Sequence, residues 1–120
     1  MSHALLIVDH GSRRPDAHAH LEWIASQVRG LAEDLLVYIA HMEVAEPSIS
    51  QAIAECAAAG VTELVVHPLF LVPGRHLTEQ IPNLVEEAAS HHPGLRVRIT
   101  AQVGSAPGIA ELVLATLHEV

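Results

Sequence analysis

The sequence contains no lysine, one cysteine (Cys56), and a single residue each of tryptophan, tyrosine and phenylalanine. One cysteine cannot form an intrachain disulfide, so the sequence predicts a protein of the reducing cytoplasm. No apolar run approaches the ~20 residues that a membrane-spanning helix needs, and the first residues lack the pattern of a signal peptide. The formal net charge of −8 argues against nucleic acid as a partner. We therefore expect a cytoplasmic protein that binds neither membranes nor nucleic acids.

Hydrophobic residues occupy 50% of the 120 positions, enough for an aliphatic core, and this length predicts one domain over residues 1–120. Four apolar segments, at residues 4–8, 35–42, 62–67 and 95–100, alternate with four segments of helical spacing. This alternation predicts an α/β fold, a three-layer sandwich in which a four-stranded parallel sheet has helices on both faces. Asp16 is the expected N-cap of the first helix. The last helix is predicted from about residue 107, with a buried stripe of Ile109, Leu112, Val113, Thr116 and Val120.

The loops that follow the strands carry the residues best suited to chemistry. Right-handed crossovers place these loops at the carboxyl edge of the sheet, where open α/β folds bind ligands. His10 follows the first strand, and His76 ends the long loop after the third. Glu43 follows the second strand and is the favoured acidic partner, whereas Glu46 lies at a helix start, where it can interact with the helix dipole. Two imidazoles and a carboxylate suit an open site for a first-row divalent metal, with acid–base chemistry as the alternative.

Positive charge is concentrated beside the two histidines. Three of the six arginines, Arg13, Arg14 and Arg75, flank them in a chain that is otherwise acidic. A guanidinium group binds carboxylate or phosphate through paired donors, so these side chains are candidate substrate ligands. The alternative is that they are solvated loop residues.

Other polar residues of the predicted edge have structural interpretations. Asp9 is expected to brace its loop by pairing with Arg13 or Arg14. His67, at a strand end before a proline, is expected to be structural, and His18 is expected on the surface of the first helix. The sequence contains neither a glycine-rich phosphate loop nor a nucleophile elbow, which argues against a nucleotide site and against a serine hydrolase.

Three separated segments resemble one known family: residues 8–13 (VDHGSR), 42–49 (MEVAEPSI) and 67–76 (HPLFLVPGRH). In this order they resemble the small, single-domain sirohydrochlorin cobaltochelatases, which are class II chelatases of the short CbiX type. The likeness extends along the chain and includes residues 80–82 (QIP) and the turn at residues 92–94 (HPG).

The resemblance implies a chelatase-like fold and the insertion of a divalent metal into sirohydrochlorin, in cobalamin or siroheme biosynthesis. The implied metal is Co²⁺, with Fe²⁺ or Ni²⁺ as alternatives, and no organic cofactor is expected. His10, Glu43 and His76 match the metal-binding and catalytic positions. A homodimer is also implied, because related long enzymes fuse two such halves. The carboxylates of the tetrapyrrole are expected to meet Ser12, Arg13, Arg14 and Arg75.

The residues alone leave a second function open, a non-catalytic protein that binds or delivers a divalent metal with the same cluster. A third function, a small hydrolase or phosphatase that uses His10, is disfavoured by the missing nucleophile motif. It is also disfavoured by Asp9, since histidine phosphatases have arginine at this position.

Overall fold

The computed structural model describes residues 3–75 and 79–119. The strands are β1 (His3–Asp9), β2 (Leu36–His41), β3 (Glu63–Pro68) and β4 (Arg96–Ile99). The α-helices are α1 (Pro15–Leu31), α2 (Ile49–Ala58), α3 (Ile81–Ala89) and α4 (Ile109–Ala115). Short 3₁₀ turns at Val103–Ser105 and Thr116–Glu119 flank α4. The predicted order of strands and helices is confirmed.

All four strands form one parallel sheet in the order β2-β1-β3-β4. Alternate residues of each strand face opposite sides, and each side has its own core. On one face, Leu21 and Ala25 of α1 pack against Ile7, Val37 and Ile39 of β1 and β2. On the other face, α2 and α3 pack over residues that include Leu6, Val8, Leu64 and Val66. The predicted α/β sandwich, with helices on both faces of a four-stranded parallel sheet, is confirmed.

The strand order locates the cleft that matters for function. The chain leaves β1 toward α1 on one face of the sheet and leaves β3 toward α3 on the other face. Since β1 and β3 are neighbours, their carboxyl ends diverge, and this divergence is the topological switch point at which open sheets bind ligands. The loops that contain His10 and His76 therefore leave the sheet on either side of this point.

The helix starts follow local sequence signals, with one correction. Ser48 caps α2 in a capping box: its hydroxyl accepts from the Gln51 amide at 3.1 Å, and the Gln51 side chain accepts from the Ser48 amide at 2.7 Å. The prediction that Asp16 caps α1 is wrong. The N-cap is Arg14, two residues earlier, and the helix begins at Pro15, because proline is suited to the first helical turn.

The prediction that the last helix buries an apolar stripe is also wrong. Ile109 is half-buried, but Leu112, Val113 and Thr116 are exposed, and Val120 lies outside the described residues. Leu112 is 60% exposed and Leu117 is 67% exposed. The helical period of apolar residues predicts the helix itself, but it does not show whether another surface covers the apolar side of that helix.

Cys56 of α2 is fully buried, and this burial raises the pKa of its thiol to about 12, so the side chain is core filler and not a nucleophile. Among residues 3–75 and 79–119, no helix has the length and apolarity required to cross a membrane.

Candidate metal site at the carboxyl edge of the sheet

His10 and Glu43 approach each other at the carboxyl ends of β1 and β2. The Nε2 atom of His10 lies 3.9 Å from a carboxylate oxygen of Glu43, and each side chain is about half exposed. Two ligands bound to one ion at ~2.1 Å with a tetrahedral angle lie about 3.4 Å apart. The observed separation therefore needs a movement of only about half an ångström for both groups to hold the same metal.

Backbone contacts fix this pair. The amide of Met42 donates to the carbonyl of Asp9 at 2.9 Å, and the amide of Glu43 donates to the carbonyl of His10 at 3.1 Å. These bonds continue the β1–β2 ladder beyond the strands. Gly11 has a φ of +104°, and a Cβ atom at this position would lie 1.9 Å from the carbonyl oxygen of Glu43. Only glycine permits so close an approach of the two loops.

The loops after β3 and β4 complete the edge. The aromatic ring of Phe70 meets the His10 ring edge to face, with centroids 6.4 Å apart. The amide of Gly104 donates to the carbonyl of Phe70 at 3.0 Å, and a Cβ atom on Gly104 would lie 1.7 Å from the carbonyl oxygen of Leu71. Close backbone packing thus brings the predicted loops together, with an apolar ring beside the His10 imidazole.

The other predicted site residues are distributed as follows. Arg13 and Arg75 are exposed on the surface of their loops. Arg14 forms an exposed ion pair with Asp16 at 3.2 Å, and the Ser12 hydroxyl accepts from the Arg14 amide at 3.1 Å. Exposed ion pairs of this kind contribute at most about 1 kcal/mol, so the Arg14 side chain can exchange its partner for an anionic ligand.

The prediction for His76 falls on a residue outside the described part of the chain. Over residues 3–75 and 79–119, no group of three or more histidine, cysteine or acidic side chains is placed to hold a metal ion. The described structure therefore supplies two of the three predicted ligands, His10 and Glu43.

The prediction that Asp9 pairs with Arg13 or Arg14 is wrong. Asp9 pairs with neither arginine: its carboxylate lies 2.6 Å from Nδ1 of His41, and Nε2 of His41 lies 2.8 Å from Nδ1 of His18. His18 is accordingly half-buried and hydrogen-bonded instead of lying free on the surface. His41 was not among the predicted site residues; its signal in the sequence is a histidine that continues the alternation of Val37 and Ile39 on one face of β2.

His67 has the structural role expected for it. The hydroxyl of Thr100 donates to the carbonyl of Ala101 at 2.9 Å, so it accepts from Nδ1–H of His67 at 2.8 Å. Burial lowers the pKa of His67, which favours the neutral ring that this arrangement needs. The bond joins the ends of β3 and β4.

These features define a parallel α/β protein with a histidine–carboxylate pair beside the switch point of its sheet. The CbiX family model matches residues 4–120, and the chain belongs to this family. The resemblance noted from the three sequence segments is thereby confirmed.

Two curated relatives and one solved structure illustrate the similarity. The chain is 42% identical over 100 residues to the chloroplastic sirohydrochlorin ferrochelatase of Arabidopsis thaliana, covering 83% of this chain and 44% of that protein. It is 33% identical over 124 residues to the sirohydrochlorin cobaltochelatase of Methanothermobacter thermautotrophicus, covering 91% of this chain and 86% of that one.

The solved structure is the sirohydrochlorin chelatase SirB from Bacillus subtilis in complex with cobalt. It superimposes with a TM-score of 0.87 at 26% identity, covering all of this chain and 51% of SirB. The chain thus spans about half the length of SirB and 44% of the length of the Arabidopsis relative.

Proposed function

We propose that this protein is a sirohydrochlorin chelatase, which inserts a divalent metal ion into sirohydrochlorin in cobalamin or siroheme biosynthesis. The observation that carries the proposal is the His10–Glu43 pair at 3.9 Å beside the switch point. Membership of the CbiX family and the names of the two curated relatives support the choice of substrate. We further propose that the 120 residues act as one domain in the reducing cytoplasm, which fits a lone, unpaired cysteine.

The reaction exchanges protons for a metal ion. The metal leaves its protein ligands, four nitrogen–metal bonds form, and two pyrrole N–H bonds break, with release of two protons. His10 and His76 supply neutral imidazole ligands, and Glu43 supplies a carboxylate that can also accept a proton. Three protein ligands leave coordination positions open, and an open shell allows the ion to be handed to the tetrapyrrole.

The half-exposed positions of His10 and Glu43 suit a transfer site. Each side chain is about half accessible to solvent, so a flat macrocycle can approach the ion from outside the cleft. Phe70 lies against the His10 ring and offers an apolar surface at the edge of the cleft. Ser12, Arg13, Arg14 and Arg75 provide donors for the peripheral carboxylates of the substrate.

We propose Co²⁺ as the physiological metal, in line with the cobaltochelatase of Methanothermobacter and with the cobalt complex of SirB. The same donors accept Fe²⁺ and Ni²⁺, because imidazole and carboxylate ligands discriminate weakly among these ions. The Arabidopsis relative is a ferrochelatase, so insertion rates measured in parallel with Co²⁺, Fe²⁺ and Ni²⁺ test this choice, and a faster rate with Fe²⁺ or Ni²⁺ would contradict it.

A visible-absorbance assay with sirohydrochlorin and Co²⁺ tests the function. We expect wild-type protein to accelerate metal insertion over the metal-only control, and His10→Ala and His76→Ala to lower this rate by about 10²-fold or more through loss of a ligand. His91→Ala is the matched control, since His91 follows α3 near the amino edge and pairs with Glu87. Co²⁺ binding without any acceleration would instead identify a metal-delivery protein.

We also propose that the protein is a homodimer and that α4 forms the contact. Helix α4 exposes Leu112, Val113 and Leu114, and the 3₁₀ turn that follows it exposes Leu117. The side of β3 and β4 that lies on the α1 face carries half-buried Val65 and exposed Arg96 and Arg98. A groove of about 550 Å³ lies there, with an apolar floor that includes Leu5 and Leu35.

A second copy of this chain fits both surfaces. The apolar side of α4 matches the apolar floor of the groove, and Glu111 on α4 matches the arginines at its rim. SirB is about twice as long as this chain, so its remaining half is about the size of a second copy. We infer that α4 of each copy covers the open sheet face of the other.

Sedimentation or light scattering tests the dimer. We expect a dimer for wild-type protein and a monomer for the double variant Leu114→Glu/Leu117→Glu, since charges on α4 and on the turn after it oppose apolar burial. Leu31→Glu is the control, because Leu31 is 90% exposed at the end of α1 and lies outside both surfaces. A wild-type monomer, or a double variant that stays dimeric, would contradict this interface.

A further inference from the structure

A hydrogen-bonded chain of three side chains joins β1, β2 and α1 beneath the candidate metal pair. The Asp9 carboxylate lies 2.6 Å from Nδ1 of His41, and Nε2 of His41 lies 2.8 Å from Nδ1 of His18. His41 is the middle residue of these three and is 1% exposed. With Asp9 as a carboxylate, Nδ1–H of His41 donates to it, and a single proton joins Nε2 of His41 to Nδ1 of His18.

The three residues lie directly behind the site. Asp9 immediately precedes His10, and His41 precedes Glu43 by two residues. Asp9 and His41 are also partners in the parallel ladder, so their side chains leave the same face of the sheet. Directly after the Asp9–His41 pair, the amide of Met42 donates to the carbonyl of Asp9 and the amide of Glu43 donates to the carbonyl of His10.

A histidine at this position is otherwise unexpected. Val37 and Ile39, the preceding residues on the same face of β2, are apolar and buried. Burial of an imidazole is unfavourable unless both ring nitrogens are hydrogen-bonded, and an apolar side chain of similar size would pack without that requirement. His41 therefore provides a polar link across the ends of β1 and β2, which an apolar side chain could not provide.

We infer that His41 is a positioning residue for the metal site: held by Asp9 and His18, it fixes the strand ends that set the separation of His10 and Glu43. The inference rests on the proposed function only in treating His10 and Glu43 as metal ligands. His41 does not touch the metal in this role. It acts through the backbone of residues 9–10 and 42–43, whose amide–carbonyl bonds it keeps in register.

Substitutions at position 41 separate the polar link from simple space filling. His41→Leu keeps an apolar side chain of similar size and removes both hydrogen bonds. We expect it to weaken Co²⁺ binding about 10- to 100-fold, as is typical when residues behind a metal site are lost. We also expect a changed visible spectrum of bound Co²⁺. His41→Asn keeps a donor near the position of Nδ1 and should restore most of the affinity and the wild-type spectrum.

Amide hydrogen exchange gives a readout that needs no metal. In His41→Leu, the amides of Met42 and Glu43 should exchange at least about 10-fold faster than in wild-type protein, because their bonds to Asp9 and His10 open more often. Val85→Ala, a core substitution on α3, controls for general loss of stability. It should leave both the Co²⁺ spectrum and these two amides unchanged.

The outcomes separate this inference from the proposed function. Wild-type protein that fails to bind Co²⁺ would refute the metal assignment of His10 and Glu43, and the exchange of the two amides would still decide whether His41 positions the loops. Unchanged amide exchange in His41→Leu would overturn the inference, even if the protein binds metal and is active. Equal effects from Val85→Ala would also overturn it, since the loss would then follow from lower stability alone.

Discussion

Gly11→Ala should unfold at a temperature about 10 °C or more below that of the wild-type protein and should lose metal binding. An alanine at φ +104° occupies a conformation that is unfavourable for L-residues by about 1–2 kcal/mol. In addition, its Cβ atom would lie 1.9 Å from the carbonyl oxygen of Glu43, so one of the two loops must move. We expect a total loss near 3 kcal/mol or more, which corresponds to a shift of about 10 °C for a domain of this size.

Gly30→Ala is the matched control for this prediction. Gly30 lies within α1, and a Cβ atom added there meets no other atom within 4 Å. Alanine favours helix over glycine by up to about 1 kcal/mol, so this variant should be as stable as wild-type protein or slightly more stable. Thermal unfolding of both variants checks the prediction. A Gly11→Ala protein with wild-type stability and Co²⁺ affinity would show that the close approach to Glu43 is not required.

Glu43→Gln should lower the rate of metal insertion by about 10²-fold or more, because the substitution removes both an anionic ligand and a proton acceptor. The amide is nearly the same size as the carboxylate, and the Glu43 side chain is half exposed, so the fold should be retained. The Co²⁺ dissociation constant should rise as well, and calorimetric titration measures it separately from the insertion rate.

Glu46→Gln is the control for Glu43→Gln, since it makes the same substitution in the same loop. The Glu46 carboxylate accepts from the Gln51 side chain at 3.2 Å and thereby supports the start of α2. We expect its insertion rate to stay within a factor of about three of wild-type, as expected for the loss of one exposed contact. If Glu46→Gln is instead the more damaging of the two, Glu46 is the acidic ligand and the assignment of Glu43 is wrong.

The strands, the helices and the site loops could be predicted because each has a local cause. Short apolar runs predict the strands, helical periodicity predicts the helices, and the handedness of crossovers predicts the edge at which the loops meet. His10 and Glu43 follow from this reasoning, since each leaves a parallel strand at the same edge. Their separation of 3.9 Å does not follow, because it depends on the register between β1 and β2.

The errors at Asp9 and at the last helix have a common origin in long-range contacts. Spacing along the chain favours nearby arginines as partners of Asp9, but its partner, His41, is 32 positions away and becomes adjacent only through the β1–β2 ladder. The apolar stripe of α4 is exposed, which periodicity could not show, because periodicity indicates an amphipathic helix without identifying a surface that covers it. Neither the partner of Asp9 nor the exposure of α4 can be deduced from spacing along the chain.

By itself, the sequence determined a parallel α/β sandwich, the carboxyl edge as the place for chemistry, and the family to which the chain belongs. Each follows from local patterns or from motifs that can be recognised in the sequence alone. Only the tertiary structure decided that Gly11 lies against the backbone of Glu43, that His41 joins Asp9 to His18, and that α4 lies exposed. The physical reason is that register and packing arise between segments far apart in the chain, so they are fixed only when the whole sheet is assembled.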